Sequence, residues 1–289
     1  MPYLYLSLAV FMSAASSIIG KVFNGKNEQE QDSSTFYTFW LMVSAFVGWG
    51  ILFAIDFSFD WGVLLYAVLF AVCYTAYNVG IIKALKYGSA MLTSLFVSLS
   101  LMITTVWGFV FWDAKLTTPV VLGLIFVVCA VVLCLWSNEK EEKSFSWKWL
   151  FYVMLPFLGN AGCSIVQRTQ QMHYDGAHGN MLMLFATGFS VLAYLFVFLK
   201  SEKRARRKIL KTSWWTPVCA GGCDVVLNVF VMLLAVTALS PSLIYPVIGV
   251  GGLAVVTIFS LFVFKEKMRW WQWVGIIIGM IAVLLLSIS

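Results

Sequence analysis

Residues 82–113 read IKALKYGSAMLTSLFVSLSLMITTVWGFVFWD. Between Lys86 and Asp113 no side chain is charged, and a helix needs about 20 such residues to cross a bilayer. Residues 235–266, AVTALSPSLIYPVIGVGGLAVVTIFSLFVFKE, have the same layout 153 positions later. At that shift Ser89 falls on Ser242, Thr104 on Thr257 and Asp113 on Glu266, and the register extends back to Trp61 on Trp214 without a gap. One gap later Gly123 falls on Gly275 and Ala130 on Ala282. In the first segments a shift of 147 sets Ser17-Ile18 on Ser164-Ile165 and Lys21 on Arg168. This ordered series predicts an internal duplication.

Composition agrees with a membrane chain. Of 289 residues 61% are hydrophobic and 11% charged, against roughly 25% charged in a soluble domain. Ten apolar segments are expected, at about 3–22, 36–55, 61–82, 88–112, 119–136, 148–168, 178–199, 214–238, 241–264 and 270–288. Ten spans would take roughly 200 residues, which leaves no room for a soluble catalytic domain. No phosphate-binding G-x-x-x-x-G-K-[ST] occurs, which excludes an ATP-driven pump in one chain. Trp61, Trp112, Trp136, Trp147, Trp149, Trp214, Trp215, Trp270, Trp271 and Trp273 mark segment ends, as interfacial rings do. The expected fold is therefore all-α and integral to the membrane: residues 1–137 as one five-helix repeat, 138–147 as a polar linker, and 148–289 as a second repeat. Five is odd, so the second repeat enters the membrane inverted, which is a transporter architecture.

Charge tests the inversion. Alternate loops put 17 of 19 basic residues on one side, leaving Lys115 and Arg168 on the other. The basic side is expected to face the cytoplasm. That makes the loop 200–213 cytoplasmic and leaves both termini on the opposite side of a cell membrane. The +6 net charge sits in loops and carries no nucleic-acid signal. Met1-Pro2-Tyr3 has no basic n-region, so no signal peptide is expected. All six cysteines lie in apolar runs and read as packing residues, and Cys219 and Cys223 have no histidine nearby to complete a metal site.

Two stretches carry a family resemblance: Ile82-Lys83-Ala84-Leu85-Lys86-Tyr87-Gly88-Ser89-Ala90 running to Phe111-Trp112-Asp113, and Ala235–Ala238 running to Phe264-Lys265-Glu266-Lys267-Met268. Each ends in an acid, a short polar loop and a Gly-containing apolar helix. The chain resembles the drug/metabolite transporter superfamily, EamA type, over nearly its whole length. Ser100 stands about where that family often has proline, and Asp113 replaces the commoner glutamate. Many members are described with both termini in the cytoplasm; the 17-to-2 count places them outside here. The resemblance implies a secondary transporter, often an exporter, with a central cavity lined mainly by segments 1, 3, 4, 6, 8 and 9.

Asp224 is the one acid deep in an expected span. An intramembrane acid costs about 2.5–3.5 kcal/mol and faces a cavity or a partner. It is read either as a proton carrier or grip for a cationic group, or as a structural acid bonded to a neighbouring helix. Asn228 lies one turn on, and Gly221 and Gly222 just before, where backbone can approach closely. Tyr74, Tyr77 and Asn78 on the third segment suit recognition of an amine, carboxylate or ring, or simple helix–helix bonding. Thr93, Ser94, Ser98, Ser100, Thr104 and Thr105 form one polar face of the fourth segment. That face lines a cavity or bonds its own backbone. Asn160 and Gln167 are weaker candidates on the sixth segment. Tyr245 and Pro246, with Gly249, Gly251 and Gly252, mark either an interrupted helix at a binding site or close packing.

Lys21 and Arg168 sit at opposite faces, as gate charges for an anion or as snorkelling side chains. Gly275 and Gly279 read as a packing face, within the chain or in a homodimer. His173 to His178 matches no zinc spacing and reads as a solvated loop. The expectation is a transporter and not an enzyme, with no cofactor and no metal, whose partners are a small-molecule substrate and the bilayer. The favoured activity is proton-coupled export of an amino acid or similar metabolite by alternating access. Export of cationic drugs and passive facilitation are the alternatives.

Overall fold

The computed structural model describes residues 2–27, 32–111, 117–135, 147–201, 203–235, 241–265 and 270–285, and these form helices. In chain order they are α1 (Pro2–Lys26), α2 (Ser33–Ile55), α3 (Val63–Tyr87), α4 (Ala90–Leu99), α5 (Leu101–Phe111), α6 (Thr118–Leu135), α7 (Trp147–His173), α8 (Gly179–Lys200), α9 (Lys203–Thr212), α10 (Trp215–Ala235), α11 (Pro241–Phe262) and α12 (Trp270–Leu285). Among the described residues seven helical runs are long and apolar enough to cross a bilayer: α1, α2, α3, α4 with α5, α7, α8 and α10. Shorter apolar runs lie in α6, α11 and α12. Helix is the form such a chain must take, because hydrocarbon offers no partner to a free N–H or C=O.

The outer surface is apolar. Val72 is 67% exposed, Val128 57%, Leu192 66% and Phe196 64%, all in helix interiors. In water this surface would be a large aggregation patch; in a bilayer it meets acyl chains. Trp61, Trp147, Trp214, Trp215, Trp270 and Trp271 are exposed at helix ends, whereas Trp149 turns inward and is buried. Trp112 and Trp136 lie outside the described residues.

The helices pack through small residues. α3 and α7 run antiparallel: the C-terminal end of α3 meets the start of α7, where Gly88 faces Trp149, and Tyr66 near its start meets His173. Between them, a Cβ on Gly159 would lie 2.7 Å from the Cys73 carbonyl and 2.8 Å from the Tyr77 nitrogen. The largest pairings across the chain are α3 with α7 and α8, α10 with α1 and α2, α2 with α8, α6 with α12, α1 with α11, and α4 with α11 and α7. Gly279 of α12 faces Leu95 and Ala130 of the same chain.

Three local features differ from the sequence reading. The fourth segment is two helices, broken at Ser100, whose hydroxyl donates to the Val97 carbonyl at 2.6 Å while Asn160 Nδ2 donates to Ser100 Oγ at 2.7 Å. The ninth segment, where Pro246 and the glycines read either as an interruption or as close packing, is one helix in its backbone. The stretch 200–213, read as a loop, contains the basic helix α9. Ile209 is the reason it docks: it is 1% exposed, in a cluster with Phe23, Phe36, Tyr37, Leu41, Ile82 and Ala220.

The ends of the bundle differ in charge. Lys21 Nζ donates to the carbonyls of Leu85 at 3.2 Å and Gly88 at 2.6 Å, joining α1 to the end of α3. Lys26 lies over the Trp215 ring, and Asn27 Nδ2 donates to Ser213 Oγ, so α9 and the start of α10 share that end. Arg168 is exposed in the last turns of α7, toward the opposite end.

Candidate functional site

A cavity of about 240 Å³ lies in the middle of the bundle. Its walls come from α1, α3, α4, α7, α10 and α11, with Trp49 of α2 and Met183 and Thr187 of α8 completing them. The first six are the segments 1, 3, 4, 6, 8 and 9 that the resemblance implies.

Asp224 of α10 is the polar centre. Tyr74 of α3 donates its hydroxyl hydrogen to Asp224 Oδ2 at 2.8 Å. The exchange joins two helices whose residues are distant in sequence, and it satisfies an acid that would otherwise be costly at this depth. Asn228 Nδ2 donates to the Asp224 carbonyl one turn back, at 2.9 Å, which leaves its amide oxygen for the cavity it lines. Gly221 does approach another backbone closely, but that of Leu41 in α2; Gly222 has nothing near it.

The other singled-out residues divide. Tyr77, Ser98 and Asn160 line the cavity with Tyr74, Asp224 and Asn228. Ser98 Oγ donates to the Ser94 carbonyl at 3.0 Å and lies 3.4 Å from the Gly249 carbonyl of α11. Asn78 is buried and donates to the Tyr74 carbonyl at 3.0 Å; it lines a smaller chamber beside the cavity. The polar face of the fourth segment splits in the same way. Ser94 and Ser98 face the cavity, while Thr93 accepts from Trp149 Nε1 at 3.1 Å and Ser100 accepts from Asn160. The Tyr245 side chain and that of Thr105 lie outside the described residues. Lys21 and Arg168 are not in the cavity wall; the Lys21 ammonium is spent on the carbonyls at the end of α3.

Sequence reading passed over Ser13 and Ser17 of α1, Trp49, Phe70 and Thr187, all of which line the cavity. Ser17 carried a signal only as a repeat match, and Trp49 and Phe70 look like any core aromatic until their neighbours are known.

The electrostatics of the lining are one-sided. Among the described residues it holds one carboxylate, Asp224, and no Lys, Arg or His. Four aromatic rings, Trp49, Phe70, Tyr74 and Tyr77, share the wall with it. Such a chamber attracts a cation or the ammonium end of a zwitterion and repels an isolated anion.

Residues 1–136 match the EamA-like transporter family. A solved crystal structure shares the fold, with a TM-score of 0.60 at 9% identity over 96% of this chain and 96% of its own. No curated protein matches. Just under half of the chain, its N-terminal residues, is thus similar to the EamA-like transporter family, and the whole is built as a bundle of apolar helices around a polar cavity.

Proposed function

We propose that the protein is a secondary transporter that exports a small amine-bearing metabolite, such as an amino acid, in exchange for protons bound at Asp224. The observation that carries this reading is the Tyr74–Asp224 pair in the wall of the central cavity. A carboxyl group bonded across two helices and facing a solute-sized space can hold either a proton or an ammonium group, and competition between the two couples their movements.

Alternating access would come from two inverted halves, residues 1–137 and 148–289, with ten spans in all. The helix pairings support this. Exchange α1, α2, α3, α4–α5 and α6 with α7, α8, α10, α11 and α12, and the pair α3–α7 becomes α10–α1, α3–α8 becomes α10–α2, and α4–α7 becomes α11–α1. The pairs α2–α8, α4–α11 and α6–α12 map onto themselves. By the positive-inside rule the Lys21 end and α9 face the cytoplasm, and both termini lie on the other side. Phe23, Tyr37, Ile82 and Ile209 pack tightly at the Lys21 end, whereas the cavity runs from Asp224 toward Trp49, Phe70 and Val231 at the other.

The test is counterflow across a metabolite panel in proteoliposomes, run at two internal pH values. The unaltered protein should accumulate its substrate against a gradient when a pH difference is imposed, and Asp224→Asn should lose that response. Equal pH-driven accumulation by Asp224→Asn would end the coupling assignment, and flux without counterflow would mark a passive facilitator. The aromatic wall with its single carboxylate favours a second substrate class, hydrophobic organic cations. Resistance to quaternary ammonium dyes on expression would select that class.

A further inference from the structure

We propose that a water-sized chamber on the Lys21 side of Asp224 is the proton's own route to that end of the protein, separate from the substrate cavity, with Tyr37 and Ser17 as its polar relay. The inference rests on Asp224 being the proton-carrying group. The chamber has a volume of about 20 Å³ and is walled by α1, α2, α3 and α10. One water needs about 10–15 Å³ on this measure, so the chamber takes a single water and no metabolite. Asp224, Tyr77, Ser17 and Ile81 belong to both spaces, so the acid stands in the partition between them. Its Oδ2 accepts from Tyr74, and Oδ1 accepts no hydrogen bond from the described residues. A water in the chamber would find polar partners in Asp224, Ser17, Tyr37 and Asn78, and a buried water typically makes about three hydrogen bonds.

Gly20 keeps the space open. A Cβ there would lie 3.1 Å from Leu85 Cδ1 and 3.4 Å from the Tyr37 hydroxyl, so a branched side chain would fill the chamber. Phe23 and Ile209 beyond it and Ile82 in its wall are at most 1% exposed, which bars solutes, and the Tyr37 hydroxyl is the polar group of the wall whose ring packs on Phe23. One proton then leaves the Asp224 carboxyl for the water, the water gives one of its own to the Tyr37 hydroxyl oxygen, and Tyr37 releases its original proton to solvent water at the Lys21 end. The net result is one proton moved and one carboxylate formed, with no bond to carbon altered.

The groups facing Asp224 suit this traffic. Tyr74 and Tyr77 come from α3, Tyr37 from α2, Cys163 from α7 and Cys223 from its own helix. On α1, Lys21 is turned onto the Leu85 and Gly88 carbonyls, and the described side chains of α11 include no titratable group. Among the described residues that line the two spaces, Asp224 is the one fixed charge.

The experiment uses the full chain in proteoliposomes, with counterflow at equal pH and pH-driven accumulation measured on each variant. Gly20 is outside the substrate cavity. Gly20→Val should keep counterflow and cut pH-driven accumulation by about tenfold or more, and Tyr37→Phe, which keeps the ring and removes the relay hydroxyl, should cut it by about fivefold. Undiminished pH-driven accumulation in both variants overturns the chamber. If Gly20→Val fails to fold, Tyr37→Phe decides alone. Loss of coupling in Asp224→Asn with none in Tyr37→Phe rejects the chamber and leaves Asp224 in place; no loss in Asp224→Asn rejects the proton reading itself.

Discussion

The Tyr74 hydroxyl and Asp224 Oδ2 are 2.8 Å apart, and this hydrogen bond ties α3 to α10 across the centre of the bundle. Tyr74 is 6% exposed and its ring stacks on Phe70, so Tyr74→Phe removes the donor and little else. A hydrogen bond to an acid of this kind is worth about 1.5–3 kcal/mol. Tyr74→Phe should leave the thermal midpoint in detergent within a few degrees and lower pH-driven transport by about tenfold or more. Proteoliposome uptake beside a melting curve measures both.

Gly159 and Gly222 make a contrasting pair. A Cβ on Gly159 would press on backbone atoms of Cys73 and Tyr77, which cannot rotate away, whereas nothing lies within 4 Å of one on Gly222. Gly159→Ala should destabilise the α3–α7 contact by about 1–3 kcal/mol, as overpacking does. Gly222→Ala should be neutral or stabilising by up to about 1 kcal/mol through helix propensity. Thermal unfolding in detergent distinguishes the two.

Trp149 Nε1 donates to Thr93 Oγ1 at 3.1 Å, with Trp149 2% and Thr93 0% exposed. Thr93→Val keeps the shape and removes this buried hydrogen bond, at a cost of about 1–3 kcal/mol. Thr93→Ser keeps the acceptor and should recover most of that loss. Denaturant titration of the purified variants is the measurement.

Lys21 bonds two carbonyls at the end of α3 and so fastens the tightly packed end of the bundle. Lys21→Met should raise the rate at which an impermeant thiol reagent, added on that side, labels Ile82→Cys, by about tenfold. Ile82 is fully buried, so the single Ile82→Cys protein sets a low baseline. An equal rate in the double variant would show that Lys21 does not hold this end closed.

Much of the bundle was legible before any coordinates. Unbroken apolar runs read as helices, and the one deep acid, Asp224, drew attention by its cost. The misread places were those where a local signal met a tertiary partner. Ser100 breaks α4 from α5 where Asn160 supplies a donor. The stretch 200–213 looked like a basic cytoplasmic loop because its charges dominate; one side chain, Ile209, fits a pocket made by α1, α2, α3 and α10 and turns it into a docked helix.

The sequence by itself determined helix, membrane and the charge asymmetry of the ends, because each follows from the local composition of a segment and the solvent it must meet. Only the tertiary structure decided which polar groups meet. Tyr74 and Asp224 are 150 residues apart, and Ser98 and Gly249 are 151 apart. Their contacts depend on which small residues let helices approach, Gly159 against Cys73 being the clearest, and that is a property of pairs of helices rather than of any one. Whether a hydroxyl bonds its own helix or faces the cavity follows from that packing, as adjacent Thr93 and Ser94 show: Thr93 bonds the Ser89 carbonyl and meets Trp149, and Ser94 lines the cavity.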